Sequence, residues 1–310
     1  DFKTIFDLAK RIDLRAANKK CMESLAVSGA FDCFEGVFRS QYFYQENEDD
    51  STFLDKALKF GSKFQNAKDS DQISMFSMDP LEVKDPEIPK CEPWTQLEML
   101  SKEKEITGMY LSGHPLDHFK VEVQHFCNTR LEDINADLVA FKNRDVKIAG
   151  VVTEAQHRTT KSGNPFGIFT IEDFTGTFRI PLFAEDYLKM RHFLKPKEFL
   201  FITGKVELRW KSEDNYQFKV YSIELLSEVR AKLGKSITMQ LNLDDVSDTF
   251  IEEIMNLINS NIGQCMLNFQ VGDKEENNFV EMHSNELKVD INDKFLESLA
   301  EIPGVEYKLN

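Results

Sequence analysis

Cysteine and long apolar runs are scarce in this sequence of 310 residues, and each absence excludes a class of protein. The five cysteines are widely spaced, odd in number and never in a Cys-x-x-Cys pair, which argues against a disulfide framework and a zinc ribbon. The six histidines are equally scattered, so we expect no metal site. No apolar run approaches the roughly 18 to 20 residues of a membrane span, and no signal peptide is recognisable. We therefore expect a soluble, cytoplasmic protein without a membrane partner.

The sequence also has no excess of basic residues, because it contains 38 Lys and Arg and 53 Asp and Glu, which gives a net charge of −15. Residues 145–227 differ from the rest, with twelve Lys or Arg, eleven Asp or Glu and a net charge of +1, so the remainder carries −16. An acidic surface repels a polyanion. Only the central segment suits nucleic acid, and we expect its isolated binding to be weak and salt-sensitive.

The length favours two or three domains over a single core. The sequence begins at Asp1 without an initiator Met and reads as folded protein from Phe2, so we expect a piece of a longer chain. The pattern predicts a multi-domain α+β protein with N-terminal helices, an acidic linker, a helical connector, a β-barrel and a small α+β domain. The predicted bounds are residues 1–36, 37–93, 94–144, 145–228 and 235–310.

The barrel is predicted from alternation with a period of two, which is typical of strands. The alternating stretches are residues 146–152, 166–173, 178–183, 198–210 and 216–226. Residues 184–194 instead show the three-and-four spacing of a short amphipathic helix. Five strands with a helix between the third and fourth is the order of an OB-fold barrel.

On the fourth strand the alternation assigns Leu200, Ile202, Val206 and Leu208 to the interior, and Phe199, Phe201, Lys205, Glu207 and Arg209 to the outside. Aromatic side chains beside cations suit single-stranded nucleic acid, because bases stack on rings and phosphates meet Lys or Arg. The alternative is that Phe183 and Phe199 only cover the end of the barrel. Loops one and four are where OB-folds usually hold a ligand. The candidate binding residues are Lys161, Phe166, Arg179, Lys205, Arg209, Trp210 and Lys211.

The N-terminal segment is helical, with Asn18 as a plausible cap for residues 19–27 and a break at Gly29. A helix that ends in a Gly turn is how helix-hairpin-helix units present backbone N–H groups to a phosphate, and Lys19 and Lys20 lie nearby. Lys19, Lys20 and Gly29 are therefore candidate DNA contacts. The alternative, which we favour, is that Gly29 is a plain helix C-cap.

The predicted linker, residues 37–93, is acidic and irregular from residue 46 onward and contains one candidate helix at 52–66 and one short apolar segment. This segment consists of Gln72, Ile73, Ser74, Met75 and Phe76. Adjacent apolar side chains in a polar tether can fill a pocket on a partner while the Gln amide is hydrogen-bonded at its rim. Alternatively, Met75 and Phe76 dock on the protein's own surface.

The residue pattern predicts a helix over residues 94–111, which ends before Gly113 and Pro115. His114 is a metal or acid–base candidate by residue type alone, and we favour a structural role. After the barrel, the pattern strand, helix, two strands, helix, strand over residues 236–309 predicts an α+β sandwich of the split βαβ kind. Because it has neither a glycine-rich phosphate loop nor paired catalytic groups, binding or assembly is the expected role.

Several short motifs occur one after another along the chain. They are Asn-Lys-Lys at 18–20, Ser-Gly-Ala-Phe-Asp at 28–32, the segment at 72–76, Gly-Met-Tyr-Leu-Ser-Gly-His-Pro-Leu-Asp at 108–117, Ala-Gly-Val-Val at 149–152, Thr-Lys-Ser-Gly at 160–163 and Ile-Glu-Asp-Phe-Thr-Gly at 171–176. In these motifs and their order the chain resembles the C-terminal part of bacterial DNA polymerase III alpha subunits, the family C replicative polymerases. The resemblance spans essentially the whole chain, although position 75 is Met where Leu is commoner.

The resemblance implies a role for each segment. Residues 1–36 end the helix-hairpin-helix region behind the fingers, and residues 72–76 hold the beta sliding clamp. The barrel engages single-stranded template DNA, and residues 235–310 bind the tau subunit of the clamp loader. The longer chain is by this resemblance a DNA-directed DNA polymerase, a nucleotidyltransferase, whose palm holds two metal ions and lies upstream of Asp1. The resemblance therefore implies no catalytic residue and no cofactor here, with Mg²⁺ confined to the missing palm.

Two other functions are compatible with parts of the pattern. A tRNA anticodon-binding module shares the OB-fold, but a class II synthetase domain should follow it, and no such motif follows Leu226. An acidic protein–protein adaptor explains the charge, and predicts that the barrel does not bind single-stranded DNA.

Overall fold

The computed structural model describes residues 1–47, 49–69, 85–209, 214–273 and 278–310. The chain forms two compact units, Asp1–Pro115 and Leu116–Asn310. The predicted segment at 72–76 lies outside the described residues, as do Trp210 and Lys211. In the described part of the chain, no helix is long and apolar enough to cross a membrane.

The first unit is helical. Its helices are α1 (Ile5–Arg11), α2 (Lys19–Val27), α3 (Arg39–Tyr42), α4 (Phe53–Asp69) and α5 (Gln96–Thr107). Asn18 caps α2 as predicted, since its side chain accepts a hydrogen bond from the Cys21 amide at 3.0 Å. The core is rich in aromatic rings, and the Phe6 ring meets those of Phe53 and Phe60 edge-on with centroids 5.8 Å away.

The second unit begins with α6 (Lys120–Phe126) and α7 (Leu131–Ala136) and continues into the barrel. The barrel elements are β1 (Asp145–Thr159), β2 (Pro165–Glu172), β3 (Thr177–Phe183), α8 (Ala184–Met190), β4 (Phe199–Leu208) and β5 (Tyr216–Leu225). The strand order β3-β2-β1-β4-β5 confirms the predicted OB-fold. The first half of β1 pairs with β4 and its second half with β2, and a register shift between Val152 and Glu154 marks the change of direction.

The barrel interior follows the predicted alternation except at the end of β4. Leu200, Ile202 and Val206 are fully buried. The prediction for Leu208 is wrong, because this side chain is 45% exposed where the strand leaves the barrel.

The outer face of β4 is covered at its start, where the sequence assigned the aromatic residues Phe199 and Phe201 to the outside. Phe201 is 1% exposed and belongs to the core of the C-terminal α+β domain, together with α9 (Leu226–Leu233). The Phe199 ring lies 5.0 Å from that of Phe119, measured between centroids. These two rings on β4 therefore contribute to packing within the unit.

The C-terminal domain contains β6 (Ser236–Asn242), α10 (Asp248–Ser260), β7 (Ile262–Asp273), β8 (Asn278–Val289), α11 (Asp293–Glu301) and β9 (Val305–Leu309). This order confirms a small α+β domain. The predicted split βαβ topology is wrong, because the sheet order is β8-β7-β6-β9 and β7 lies directly beside β6 in parallel. The crossover through α10 thus returns the chain to the adjacent position, and no strand separates β6 from β7.

Candidate nucleic-acid interface

A row of three side chains crosses the outer face of the barrel, from Arg158 on β1 through Phe166 on β2 to Phe183 on β3. The strand register pairs Arg158 with Phe166, and Phe166 with Phe183. Opposite residues on antiparallel strands point to the same face. The two rings are stacked, with centroids 5.8 Å apart and an angle of 22° between their planes. Phe183 is 48% exposed and Arg158 is exposed, so this row presents an aromatic surface beside a cation.

The same face continues along β2 and β3 toward a second cation. Ile168 lies opposite Pro181, and Thr170 lies opposite the exposed Arg179. With a rise of roughly 3.3 Å per residue, Arg179 lies roughly 13 Å along β3 from Phe183. Lys161 is exposed in the turn that joins β1 to β2.

Helix α8 packs against β2, the strand that carries the central ring of the aromatic row. A Cβ atom on Gly167 would lie 2.8 Å from the Tyr187 ring and 2.8 Å from Leu194, so only glycine permits this close packing. The Tyr187 hydroxyl is in turn hydrogen-bonded to Nδ1 of His157 on β1, at 3.0 Å. Gly167 directly follows Phe166, and this packing fixes the strand that presents the ring.

Lys205 lies on another part of the barrel surface. On β4 it is opposite Asp145 of β1 and Lys219 of β5, and Nζ of Lys219 lies 3.5 Å from a Glu207 carboxylate oxygen. The exposed Arg209 follows the end of β4, and its amide donates to the Asn215 carbonyl at 2.8 Å. The structure thus brings Phe166 next to Phe183 and Arg158, and places Lys205 in the ladder of β1, β4 and β5.

Gly29, at the predicted hairpin contact of the first unit, is the residue that directly follows the C-cap of α2. Its φ is +86°, and the amides of Gly29 and Ala30 donate to the carbonyls of Ala26 and Leu25 at 3.4 and 3.0 Å. Nζ of Lys19 lies 2.8 Å from the Asp55 carboxylate, and Lys20 is exposed. The amides expected to meet a phosphate are therefore used by the helix end, which supports the favoured interpretation of Gly29.

Three family models match the chain. Residues 237–310 match the DNA polymerase III alpha subunit, C-terminal domain. Residues 146–226 match an OB-fold nucleic acid binding domain, and residues 1–42 match a helix-hairpin-helix motif. The chain is related to the C-terminal part of the DNA polymerase III alpha subunit.

Full-length relatives extend beyond the matched region. The chain is 30% identical over 261 residues to the DNA polymerase III subunit alpha of Pasteurella multocida, and equally to that of Haemophilus influenzae. Each match covers 83% of this chain and 21% of the relative, so the chain spans about a fifth of the length of these alpha subunits. Among solved structures, the mitochondrial single-stranded DNA binding protein Rim1 of S. cerevisiae is 15% identical over 27% of this chain and 97% of its own, with a TM-score of 0.22.

The motif at 108–117 has a structural role that sequence reasoning missed. Glu103 is fully buried and accepts hydrogen bonds from the amides of Leu111 and Ser112 at 2.9 and 3.0 Å. Nη1 of Arg39 donates to the same carboxylate at 2.5 Å, while Nε of Arg39 donates to Asp32 at 2.9 Å. Burial alone would raise the pKa of Glu103, but the hydrogen bonds from Arg39, Ser112 and Leu111 outweigh it and lower the pKa to about 2.

His114 packs in the same motif, with its ring edge-on to that of Tyr110 and 5.2 Å between centroids. Across the described residues, no three His, Cys, Asp or Glu side chains cluster in a way that could hold a metal ion. Arg158 also escaped prediction as a site residue. The sequence feature that could have identified Arg158 is its position three residues before Lys161, at the end of a predicted strand.

Proposed function

We propose that the barrel binds single-stranded template DNA across β2 and β3 as part of a replicative polymerase. Bases stack on Phe166 and Phe183, and phosphates meet Arg158 at one end of the face and Arg179 at the other. The observation that carries this proposal is the stacked pair of rings, the exposed Phe183 and the partly buried Phe166, with a cation in the same cross-strand row. The relationship to polymerase alpha subunits supports DNA as the nucleic acid.

Binding of fluorescein-labelled oligothymidylate, followed by anisotropy, tests this proposal. Base–aromatic stacking contributes roughly 1–3 kcal/mol per base, so the double variant Phe166→Ala/Phe183→Ala should bind at least about tenfold more weakly. Phe174→Ala is the matched control, because Phe174 is 42% exposed at the turn between β2 and β3, at the opposite end of this hairpin. Equal losses in the control and the double variant would refute stacking on this row.

The same titration separates the alternative functions. An anticodon-binding module should prefer a single-stranded RNA of matched length, whereas the template-binding proposal expects DNA to bind at least as tightly. An acidic adaptor should bind neither oligonucleotide at low salt.

We further propose that the segment at 72–76 binds the beta sliding clamp. Support comes from the sequence: Gln72 is followed at three and four residues by Met75 and Phe76 within a polar, acidic stretch. The resemblance of the chain to alpha subunits in its ordered motifs supports this proposal.

The C-terminal domain is proposed to bind the tau subunit of the clamp loader. Residues 235–310 contain five Lys and fifteen Asp or Glu, a net charge of −10, which disfavours contact with nucleic acid. The match to the C-terminal domain of alpha subunits supports a role in assembly. For catalysis, we propose that polymerase activity requires parts of the alpha subunits that this chain does not match, and that the purified chain extends no primer.

A further inference from the structure

An apolar surface extends from the core of the C-terminal domain to the edge strand β8. The register of β6, β7 and β8 forms two rows, Met239–Phe269–Met282 and Leu241–Val271–Val280. Met239 and Leu241 are buried, and Phe269 and Val271 are partly buried against the core. Met282 is 46% exposed and Val280 is 66% exposed. Each row thus begins with a buried side chain on β6 and ends with an exposed side chain on β8.

Strand β8 also offers main-chain hydrogen-bonding groups at this surface. It forms one end of the sheet, and within the described residues no strand pairs with its outer edge. Such an edge can accept a further strand. A register shift beyond His283 interrupts the ladder with β7, so the regular part of the edge is residues 278–283, which contain both exposed apolar side chains.

The net charge of the domain indicates which kind of partner can bind at the edge of β8. A second copy of the chain would bring a net charge of −10 on residues 235–310 against an equal charge, which opposes self-association at this edge. Glu281 lies between Val280 and Met282 and is exposed. Lys and Arg side chains on the incoming segment would be attracted to this surface.

We propose that β8 receives an extended, basic segment of a partner protein. The segment adds a strand to the sheet edge, inserts alternate apolar side chains over Val280 and Met282, and directs its cations toward Glu281 of this acidic domain. The proposal rests on the assembly role of the C-terminal domain and specifies the surface and the chemistry of the partner.

A labelled peptide of alternating Val and Lys residues tests the site on the 310-residue chain. The comparison peptide has the same composition with its Val residues grouped together, so that charge attraction is equal and only the alternation differs. We expect the alternating peptide to bind at least about tenfold more tightly and to slow amide hydrogen exchange at residues 278–283. Equal binding of the two peptides, or unchanged exchange there, would overturn the proposal.

Protein variants locate the contact. Val280→Ser/Met282→Ser should weaken binding of the alternating peptide by about tenfold, and Glu281→Lys should weaken it and reduce its salt dependence. Ile262→Ser is the matched control, because Ile262 is 76% exposed in the same sheet and lies opposite Val289, outside both rows. Since all four side chains are exposed, thermal melting should change little. A loss in the control equal to that in the double variant would contradict the site.

The purified tau subunit, titrated onto the same chains, separates this surface from the broader proposal. If tau binds the wild-type chain and the Val280→Ser/Met282→Ser variant equally well, the β8 site is wrong and the assembly role stands. If tau fails to bind while the alternating peptide binds with the expected losses, the tau proposal fails and the β8 site stands for another basic partner.

Discussion

Glu103 shows how one buried charge can organise a motif. Its carboxylate joins Arg39 of α3 to the amides of Leu111 and Ser112, so the loop after α5 and the start of α3 depend on the same group. Breaking a buried ion pair costs about 3–5 kcal/mol, and the lower end applies here because Arg39 also pairs with Asp32. Leu111 and Ser112 of the motif therefore contribute to the folding of the first unit.

We predict that Glu103→Gln destabilises the first unit by about 3 kcal/mol at pH 7, measured by urea unfolding. Since the pKa of Glu103 falls from 4.5 to about 2 on folding, this carboxylate stabilises the fold above about pH 4.5. That contribution is lost as the pH falls from 4.5 toward 2, so the gap between wild type and variant should narrow there. Glu105→Gln, an exposed change on the same helix, should have no such effect.

Gly167 gives a second prediction at the scale of a residue. Gly167→Ala places a methyl group 2.8 Å from Tyr187 and Leu194, and the shift this forces should cost about 1–3 kcal/mol. It should also weaken oligothymidylate binding, because Phe166 is the preceding residue. Gly176→Ala is the control, since its Cβ would meet nothing closer than 3.8 Å. Equal melting temperatures for the two variants would contradict the close packing of α8.

At the scale of elements, the sequence predicted the strands of the barrel because apolar residues recur with a period of two, and burial alternates accordingly along β2 and β3. It did not predict which outer faces are covered. Phe201 alternates as an outward residue, and its burial depends on packing with residues after 225, which the local period does not encode. The same limit applies to the βαβ crossover, because a succession of elements is compatible with a split or an adjacent pair of strands. Arg158 joins Phe166 only through the register of β1 with β2.

The covered face predicts that Phe201→Ala costs about 3–5 kcal/mol in unfolding free energy, as expected for a core phenylalanine. Phe183→Ala, at a side chain that is 48% exposed, should cost much less. Chemical denaturation of the two variants provides the comparison. Similar small losses would mean that the outer face of β4 is open.

At the scale of the whole molecule, the barrel segment and the C-terminal domain differ in net charge. The barrel segment is nearly neutral, at +1, whereas residues 235–310 carry −10, which agrees with the proposals that place DNA contact and protein assembly in different parts of the chain. The local net charge of the barrel is small, and binding must therefore depend on individual cations and on stacking.

The sliding-clamp proposal is tested on the whole chain by Met75→Ala/Phe76→Ala. Truncation of each buried anchor usually costs roughly 2 kcal/mol or more, so the double variant should lose detectable binding to the cognate clamp. Thermal melts should be unchanged if the two side chains serve only the partner. Equal clamp affinity would refute the assignment, and a large drop in melting temperature would indicate that these residues pack against their own protein.

The salt dependence of oligothymidylate binding decides most directly which barrel face holds DNA. Each phosphate contact to a single strand adds about 0.7 to the slope of log K against log salt, so Arg158→Gln/Arg179→Gln should flatten the slope by about 1.4. Lys205→Gln/Lys219→Gln removes the same charge from the ladder of β1, β4 and β5 and should leave the slope unchanged. An unchanged slope in the arginine variant, with a flattened slope in the lysine variant, would contradict binding across β2 and β3 and support the contact predicted for Lys205.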